Sequence, residues 1–119
     1  MKVIIAGGRD FDNYTRLVDV CLYYLGNQYD DEIEIVSGGA KGADTLGEHF
    51  AKEYNYKLTI FKADWDKHGK AAGFKRNTEM AKYADALIAF WDGKSKGTKH
   101  MIDTAKSHNL KVRVIAYNV

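Results

Sequence analysis

One pattern constrains the fold of this chain more than any other: short apolar runs alternate with amphipathic segments, and three of the runs end directly in glycine-rich stops. The stops are Gly7-Gly8-Arg9-Asp10, Ser37-Gly38-Gly39-Ala40-Lys41-Gly42 and Asp92-Gly93-Lys94-Ser95-Lys96-Gly97-Thr98. Apolar runs of this length are typical of buried strands, and the segments between them have helical spacing. Strands that alternate with helices predict right-handed crossovers and a parallel sheet covered on both faces.

The boundaries of the predicted elements follow from this alternation. Apolar runs predict strands at about residues 2–6, 32–37, 57–62, 86–91 and 111–117. Helical periodicity predicts helices at about 14–26, 42–54, 71–83 and 98–108, and residues 63–70 are predicted to form a loop. The first helix has Asp12 or Asn13 as its N-cap and Gly26-Asn27 as its stop.

The sequence therefore predicts an α/β fold with three layers. Its centre is a Rossmann-like, doubly wound parallel sheet of five strands in the order 3-2-1-4-5, and residues 1–119 form a single domain. In such a sheet the crevice opens between strands 1 and 4, at the carboxyl ends of the strands. All three glycine-rich stops lie at that edge.

Composition narrows the possible classes of function. The single cysteine, Cys21, excludes an internal disulfide and a cysteine zinc site, and the four histidines lack metal-ligand spacing. No metal and no cofactor are expected. No apolar run is long enough to span a membrane, and the first run is too short for a signal peptide, so we expect a cytoplasmic protein without membrane partners.

Charge is distributed unevenly along the chain. Residues 1–61 carry six Lys and Arg against ten Asp and Glu, whereas residues 62–119 carry twelve against six, and the net charge is +2. The basic second half is consistent either with attraction of a nucleotide or nucleic acid, or with an ordinary lysine-rich surface.

The stop after the second strand is the main candidate phosphate cradle. Glycines allow backbone N–H groups to approach an anion closely, and the following helix directs its positive end at the same place. The motif is neither a P-loop nor the dinucleotide fingerprint G-x-G-x-x-G. The alternative is a glycine-rich turn that only joins strand to helix. The candidate ligand-binding residues are Gly7, Gly8, Arg9, Asp10, Ser37, Gly38, Gly39, Ala40, Lys41, Gly42, Asp44, Trp65, Arg76, Asn77, Gly97 and Thr98.

The polar candidates each allow a plainer interpretation. Arg9 binds phosphate through its guanidinium or pairs with Asp10 at the surface. Asp44 makes a charge–dipole contact, or accepts hydrogen bonds that organise the facing loops or a ribose. Arg76-Asn77 is predicted to open the third helix, where the pair closes over a ligand or serves as a solvated arginine and a helix cap.

Two further alternatives concern the fourth helix and the tryptophans. The hydroxyl of Thr98 binds a second polar group, or Thr98 is only the N-cap of its helix. Trp65 is the better candidate for stacking on a base, whereas Trp91 ends an apolar strand and is expected in the core.

Five ordered blocks give the chain a resemblance to a known family. The blocks are Gly7-Gly8-Arg9-Asp10-Phe11, Ser37–Asp44, Ala63-Asp64-Trp65 with Gly69–Gly73, Arg76-Asn77, and Gly97-Thr98. They resemble the SLOG superfamily, the Rossmannoid group that includes the LOG phosphoribohydrolases and the DNA-processing protein DprA, and within it the small stand-alone YspA-like branch. The resemblance implies binding of nucleotides or nucleotide-derived ligands, and it implies a homodimer, since members of the superfamily often pair.

One departure from the superfamily bears on catalysis. LOG-type enzymes carry Pro-Gly-Gly-x-Gly-Thr followed two residues later by a catalytic glutamate, and that position is Met101 here. Methionine can neither stabilise an oxocarbenium-like centre nor activate water, so LOG-type hydrolysis is not expected. Asp10 and Asp92 are the candidate replacements.

Three functions follow from this sequence. The first is a nucleotide-binding sensor, carrier or sequestering module, because the loops are rich in donors and no catalytic set is assembled. The second is a nucleotide-processing hydrolase of N-glycosidase type that uses Asp10 or Asp92. The third is DprA-like binding of single-stranded nucleic acid, which the basic second half and Trp65 favour and the modest net charge opposes.

Overall fold

The computed structural model describes residues 1–26 and 32–118. Its sheet contains five strands: β1 (Lys2–Gly7), β2 (Glu34–Ser37), β3 (Lys57–Ile60), β4 (Ala86–Trp91) and β5 (Lys111–Ala116). The strands lie in the order β3-β2-β1-β4-β5, and each neighbouring pair is parallel. The predicted fold class and strand order are confirmed.

In the described ranges, five α-helices connect the strands: α1 (Tyr14–Leu25), α2 (Ala43–Glu53), α3 (Trp65–His68), α4 (Ala72–Tyr83) and α5 (Lys96–Ser107). A 3₁₀ turn, Gly69–Ala71, joins α3 to α4. The prediction of a loop at residues 63–70 is therefore wrong. The side chain of Asp64 accepts a hydrogen bond from the backbone N–H of Lys67 at 3.0 Å, and this cap starts a single helical turn that has no apolar period to reveal it.

Successive side chains of β1 point to opposite faces of the sheet and contribute to two apolar cores, one on each face. Val3 and Ile5 pack on the face that carries α1 and α2, and Ile4 and Ala6 pack on the face that carries α4 and α5. All four side chains are buried. Because β1 and β4 are covered on both sides, their sequences are almost continuously apolar.

The N-cap and C-cap of α1 are among the residues that the sequence predicts for them. Asn13, rather than Asp12, is the N-cap, because its side chain accepts from the backbone N–H of Arg16 at 3.0 Å. Gly26 is the C-cap, and Asn27 of the predicted stop lies outside the described residues. Cys21 is fully buried in the core under α1.

Close packing of two glycine-rich loops positions the site. Gly42 has a φ of 78°, and a Cβ there would lie 2.2 Å from the carbonyl oxygen of Gly8. That carbonyl accepts the backbone N–H of Ala43 at 3.2 Å, so the loop after β1 is tied to the first residue of α2. Only glycine permits this approach, which brings both loops to the switch point between β1 and β4.

Among the helices of the described ranges, none is long and apolar enough to cross a bilayer.

Candidate ligand-binding cleft

A cleft opens at the carboxyl edge of the sheet, where the winding direction reverses. One part, here called the inner cleft, has a volume of about 160 Å³ and lies between the loop after β1, α4 and the start of α5. An adjoining outer groove of about 340 Å³ lies beside the loops after β2 and β3. The two share Arg9, Ala40, Trp65 and Arg76.

The structure brings most of the sequence-predicted site residues to this cleft. The inner cleft is lined by Gly7, Arg9, Ala40, Asp44, Trp65, Arg76, Asn77, Gly97 and Thr98. The outer groove adds Gly38 and Gly39. The remaining predicted residues line neither compartment: Gly8, Asp10, Ser37, Lys41 and Gly42. Gly42 and Gly8 instead serve the packing between the two loops.

Several backbone amides of the predicted phosphate cradle already donate hydrogen bonds within the chain. The N–H groups of Gly38 and Ala40 donate to Oδ2 of Asp44, at 3.1 and 3.4 Å, and that of Gly39 donates to Oγ of Ser37 at 3.1 Å. The N–H of Gly8 donates to the carbonyl oxygen of Phe90 at 3.0 Å. The loop after β2 is therefore a structured turn, and these amides are not an open anion cradle.

Asp44 organises that turn from the first turn of α2. It is 4% exposed, and its burial raises the carboxyl pKa to about 6, although the nearby Arg76 charge and the amides of Ala40 and Gly38 oppose this rise and Glu48 adds to it. A Cβ on Gly38 would lie 2.7 Å from Oδ2 of Asp44 and 2.9 Å from Nη1 of Arg76. Glycine at position 38 thus leaves room for the carboxylate and the guanidinium to face each other.

Arg76 and Asn77 join the two sides of the cleft. Nη1 of Arg76 donates to the carbonyl oxygen of Gly38, and its Nε donates to Oδ1 of Asn77 at 3.1 Å. Nδ2 of Asn77 donates to the carbonyl oxygen of Gly97 at 3.3 Å and lies 3.2 Å from Nδ1 of His100. Burial lowers the pKa of Arg76. This chain of bonds fixes α4 against both the loop after β2 and the start of α5.

The prediction that Arg76-Asn77 opens a helix is wrong. Helix α4 begins at Ala72, continuing directly from the 3₁₀ turn, so the pair lies in its second turn. Asn77 is buried and cannot be a helix cap, since its side chain bonds to α5 instead. Its amide is a cross-link between helices.

The start of α5 also differs from the prediction. The N-cap is Ser95, whose Oγ accepts from the backbone N–H of Thr98 at 3.4 Å, so Thr98 is not the N-cap. Thr98 is buried, and its hydroxyl lies 3.1 Å from the Ser95 hydroxyl. Asp92 accepts the N–H groups of Lys94 and Ser95, both at 2.8 Å, and these bonds lower the pKa of its carboxyl.

Neither candidate catalytic carboxylate lines the cleft. Asp92 stabilises the turn before α5, and Asp10 accepts a hydrogen bond from the hydroxyl of Tyr117 at 2.6 Å on the other side of the loop after β1. Within the described part of the chain, Asp44 is the one carboxylate that lines the inner cleft. Met101 lies there too, at the position where the LOG motif has its glutamate.

Positive charge concentrates around the cleft. Arg9, Lys70 and Arg76 line its inner part, and Lys62 lines the outer groove. Arg9 lies close enough to Arg76 to lower the pKa of that guanidinium. In residues 1–26 and 32–118 the two ion pairs are Lys57–Glu34 and Lys99–Asp103, so Arg9 does not pair with Asp10.

Sequence reasoning missed several lining residues and placed one tryptophan correctly. Lys62 follows β3 at the same sheet edge as the other loops, and this position could have identified it as a lining residue. Phe74 belongs to no motif that would have indicated its place in the cleft. Trp91 packs against the core and its indole N–H donates to the carbonyl oxygen of Ser95 at 3.1 Å, as expected of a core residue. Trp65 is 51% exposed at the cleft mouth.

The described ranges contain no set of side chains arranged as metal ligands. No group of three or more His, Cys, Asp or Glu side chains there is arranged to hold an ion. The chemical features of the cleft are therefore its cations, one buried carboxylate, amide and hydroxyl groups, and exposed aromatic rings.

The sequence of this chain is similar to those of known proteins. The family model described as YspA, cpYpsA-related SLOG family matches residues 1–68. The Gene 61 protein of Mycobacterium phage D29 is 33% identical over 117 residues, which cover 93% of this chain and 93% of that protein.

Two solved structures share the fold. DNA processing protein A from Streptococcus pneumoniae has a TM-score of 0.76 at 20% identity, over 98% of this chain and 50% of that one. DNA processing protein A from Helicobacter pylori, described for its single-stranded DNA binding mode, has a TM-score of 0.73 at 18% identity, over 96% of this chain and 64% of that one. The chain thus spans half of one protein's length and under two thirds of the other's.

Proposed function

We propose that this chain, which belongs to the YspA, cpYpsA-related SLOG family, binds a nucleotide or nucleotide-derived ligand in the inner cleft and outer groove. In this proposal the protein is a sensor, carrier or sequestering module. The observation that carries it is the convergence of four cations on a cleft lined by a single, buried carboxylate among the described residues.

Cations that lie close together repel one another, and this repulsion is unfavourable in the absence of an anion. Burial lowers the pKa of Arg76, the charge of Asp44 opposes this shift, and repulsion from Arg9 adds to it. A bound phosphate removes the repulsion and accepts hydrogen bonds from guanidinium groups. This arrangement is therefore suited to an anion, because a bound anion reduces the repulsion between the two guanidinium groups.

The cations divide into two kinds. Two groups of Arg76 are already bonded to Gly38 and Asn77, so its charge acts on a ligand mainly at a distance. Arg9 and Lys70 are exposed and have no ion-pair partner in the described ranges, which leaves their donors for a phosphate. We assign direct phosphate contact to Arg9 and Lys70.

Isothermal titration with a panel of nucleotides, cyclic nucleotides and ADP-ribose-type derivatives tests the proposal. We expect at least one to bind, and Arg9→Ala and Lys70→Ala to weaken it about tenfold each, as befits loss of a charge-assisted bond. Lys82→Ala is the matched control, since it removes the same charge from an exposed position in the last turn of α4. Absence of binding across the panel, or equal losses in Lys82→Ala, refutes the proposal.

A hydrolase is the second candidate, and Asp44 is the observation in its favour. A buried carboxyl with a raised pKa that lines a cleft is the kind of group that enzymes use as an acid or base. Base release from nucleoside monophosphates, lost in Asp44→Asn and retained in Asp10→Asn and Asp92→Asn, would establish this activity. Binding without turnover would favour the first function.

Binding of single-stranded nucleic acid is the third candidate. It is favoured by the fold shared with the Helicobacter pylori protein and by Lys62 beside the exposed Trp65 in the outer groove. A gel shift with an oligonucleotide, with affinity that falls steeply with salt, would support it.

A further inference from the structure

Exposed apolar side chains gather at the mouth of the cleft. Trp65 and Phe74 are 51% and 47% exposed, and neither of them is part of either apolar core. Trp65 and Phe74 both line the inner cleft, next to Lys70 and Arg76. Large apolar side chains left open beside cations are typical of a binding surface for a ligand that is both aromatic and charged.

The Phe74 ring is held in place from behind. It stacks on the imidazole of His100, with ring centroids 4.0 Å apart and an angle of 10° between the planes. Nδ1 of His100 lies 3.2 Å from Nδ2 of Asn77, an amide that is itself bonded to Gly97. One face of Phe74 is therefore occupied by His100, and the exposed remainder is presented in a fixed orientation.

Trp65 forms the neighbouring wall, and the absence of a side chain at position 73 leaves space in front of it. Asp64 caps the turn that begins at Trp65, which fixes the backbone of the tryptophan. A Cβ on Gly73 would lie 3.4 Å from Cη2 of Trp65 and 3.7 Å from Nη2 of Arg76. A side chain at position 73 would therefore contact both the aromatic ring and the cation.

We propose that Trp65 and Phe74 bind a planar aromatic base, so that the site selects nucleotides over sugar phosphates and inorganic phosphate. The inference rests on the proposed function, because the cations must hold the phosphate end of the same ligand. Aromatic side chains stack on any base through its π-face, and a nearby guanidinium adds cation–π attraction. The base contributes affinity through these rings, and the phosphate contributes through Arg9 and Lys70.

Isothermal titration with three kinds of probe separates the two contributions: the four ribonucleoside 5′-monophosphates, ribose 5-phosphate and inorganic phosphate. We expect the wild-type protein to bind at least one nucleotide about tenfold more tightly than ribose 5-phosphate. Trp65→Ala and Phe74→Ala should each reduce that preference to about threefold or less, while the affinity for ribose 5-phosphate stays unchanged. Both residues are exposed and outside the cores, so the variants should fold.

Tyr23→Ala is the matched control, since it removes an aromatic ring that is 81% exposed on α1, away from the cleft. Equal affinity of the wild-type protein for nucleotides and ribose 5-phosphate overturns the inference and leaves the cationic cleft as a phosphate site. A nucleotide preference that survives both aromatic substitutions also overturns it. If none of these probes binds, this inference fails, whereas the proposed function fails only if the cyclic nucleotides and ADP-ribose-type derivatives do not bind either.

Discussion

The hydroxyl of Tyr117 occupies the space that a side chain at position 8 would need. A Cβ on Gly8 would lie 1.6 Å from that oxygen, which donates to Asp10 at 2.6 Å. The ring of Tyr117 also packs edge-on against Phe11, with centroids 4.9 Å apart. Asp10 and Gly8 of the first motif thus have a structural role: they anchor the turn that carries Arg9.

This contact predicts a non-additive pair of substitutions. Gly8→Ala should lower the free energy of unfolding by about 1–3 kcal/mol through overpacking, and the loss should shrink in a Tyr117→Phe background, where the clashing oxygen is gone. Urea unfolding of the four proteins in the cycle measures the coupling. Gly97→Ala is the control, because a Cβ there meets nothing within 4 Å and should be neutral or stabilising. Additive losses would contradict this account of Gly8.

Asp44 predicts a pH dependence of stability that runs opposite to that of most carboxylates. Its folded pKa, about 6, lies above its ordinary value of 3.8, so the folded protein binds the proton more tightly than the unfolded chain does. The contribution of Asp44 to stability is therefore greatest below pH 4 and is lost as pH rises towards 6, by about 3 kcal/mol at most. In Asp44→Asn this loss between pH 4 and 6 should disappear from chemical unfolding curves.

Asp103 supplies the comparison for that experiment. Lys99 donates to its carboxylate at 2.7 Å and lowers its pKa, so its contribution is present above its ordinary value and is lost on acidification. Asp103→Asn should thus change the pH dependence in the opposite direction. An unchanged slope in Asp44→Asn would mean that the buried carboxyl is not the group that titrates.

At the scale of elements, α3 depends on its cap. None of its residues is buried, so packing contributes little to it, and the hydrogen bond that the Asp64 side chain accepts from the Lys67 N–H carries most of its stability. Asp64→Ala should open this turn at a cost of about 1 kcal/mol, while global unfolding stays almost unchanged. Hydrogen exchange at the Lys67 amide, which donates to Asp64, reports the opening directly.

Asp66→Ala is the appropriate control for that cap, since it removes a neighbouring acid in the same turn that accepts no capping bond. If the base stacks on Trp65, Asp64→Ala should also weaken nucleotide binding severalfold. Exchange at Lys67 that is equally slow in both variants would show that the turn does not depend on Asp64.

Element types and strand order were predictable from the sequence because they depend on periodicity, and β4 was predicted to the residue. The residues at which helices begin were less predictable from the sequence. Whether Ser95 or Thr98 begins α5 is decided by which hydroxyl reaches a free N–H, and both types are favourable caps. The sequence predicts Arg76-Asn77 at a helix start behind Gly69–Gly73, whereas Gly69 lies in the 3₁₀ turn and Gly73 lies within α4.

At the scale of the whole molecule, the sequence predicted where the site would lie but not how its groups are used. The switch point follows from strand order, and the glycine loops meet there as expected. The bond between Asp10 and Tyr117 spans 107 positions, and that between Arg76 and Gly38 spans 38. No local pattern encodes such pairs, so the sequence could not show that amides of the predicted cradle and the carboxylate of Asp10 make hydrogen bonds within the chain.

The charge distribution of the molecule gives the last prediction. The net charge is +2, yet four cations surround the cleft, so attraction for an anion is local rather than a property of the whole surface. A single-stranded oligonucleotide that engaged all four would release about three counterions, and the logarithm of its affinity would fall with a slope near −3 against the logarithm of salt concentration. A nucleoside monophosphate has no polymer counterion layer to release and should show a much shallower slope. Titrations between 50 and 200 mM salt distinguish the two: a slope for the monophosphate as steep as that for the oligonucleotide would contradict direct phosphate contact by Arg9 and Lys70 alone.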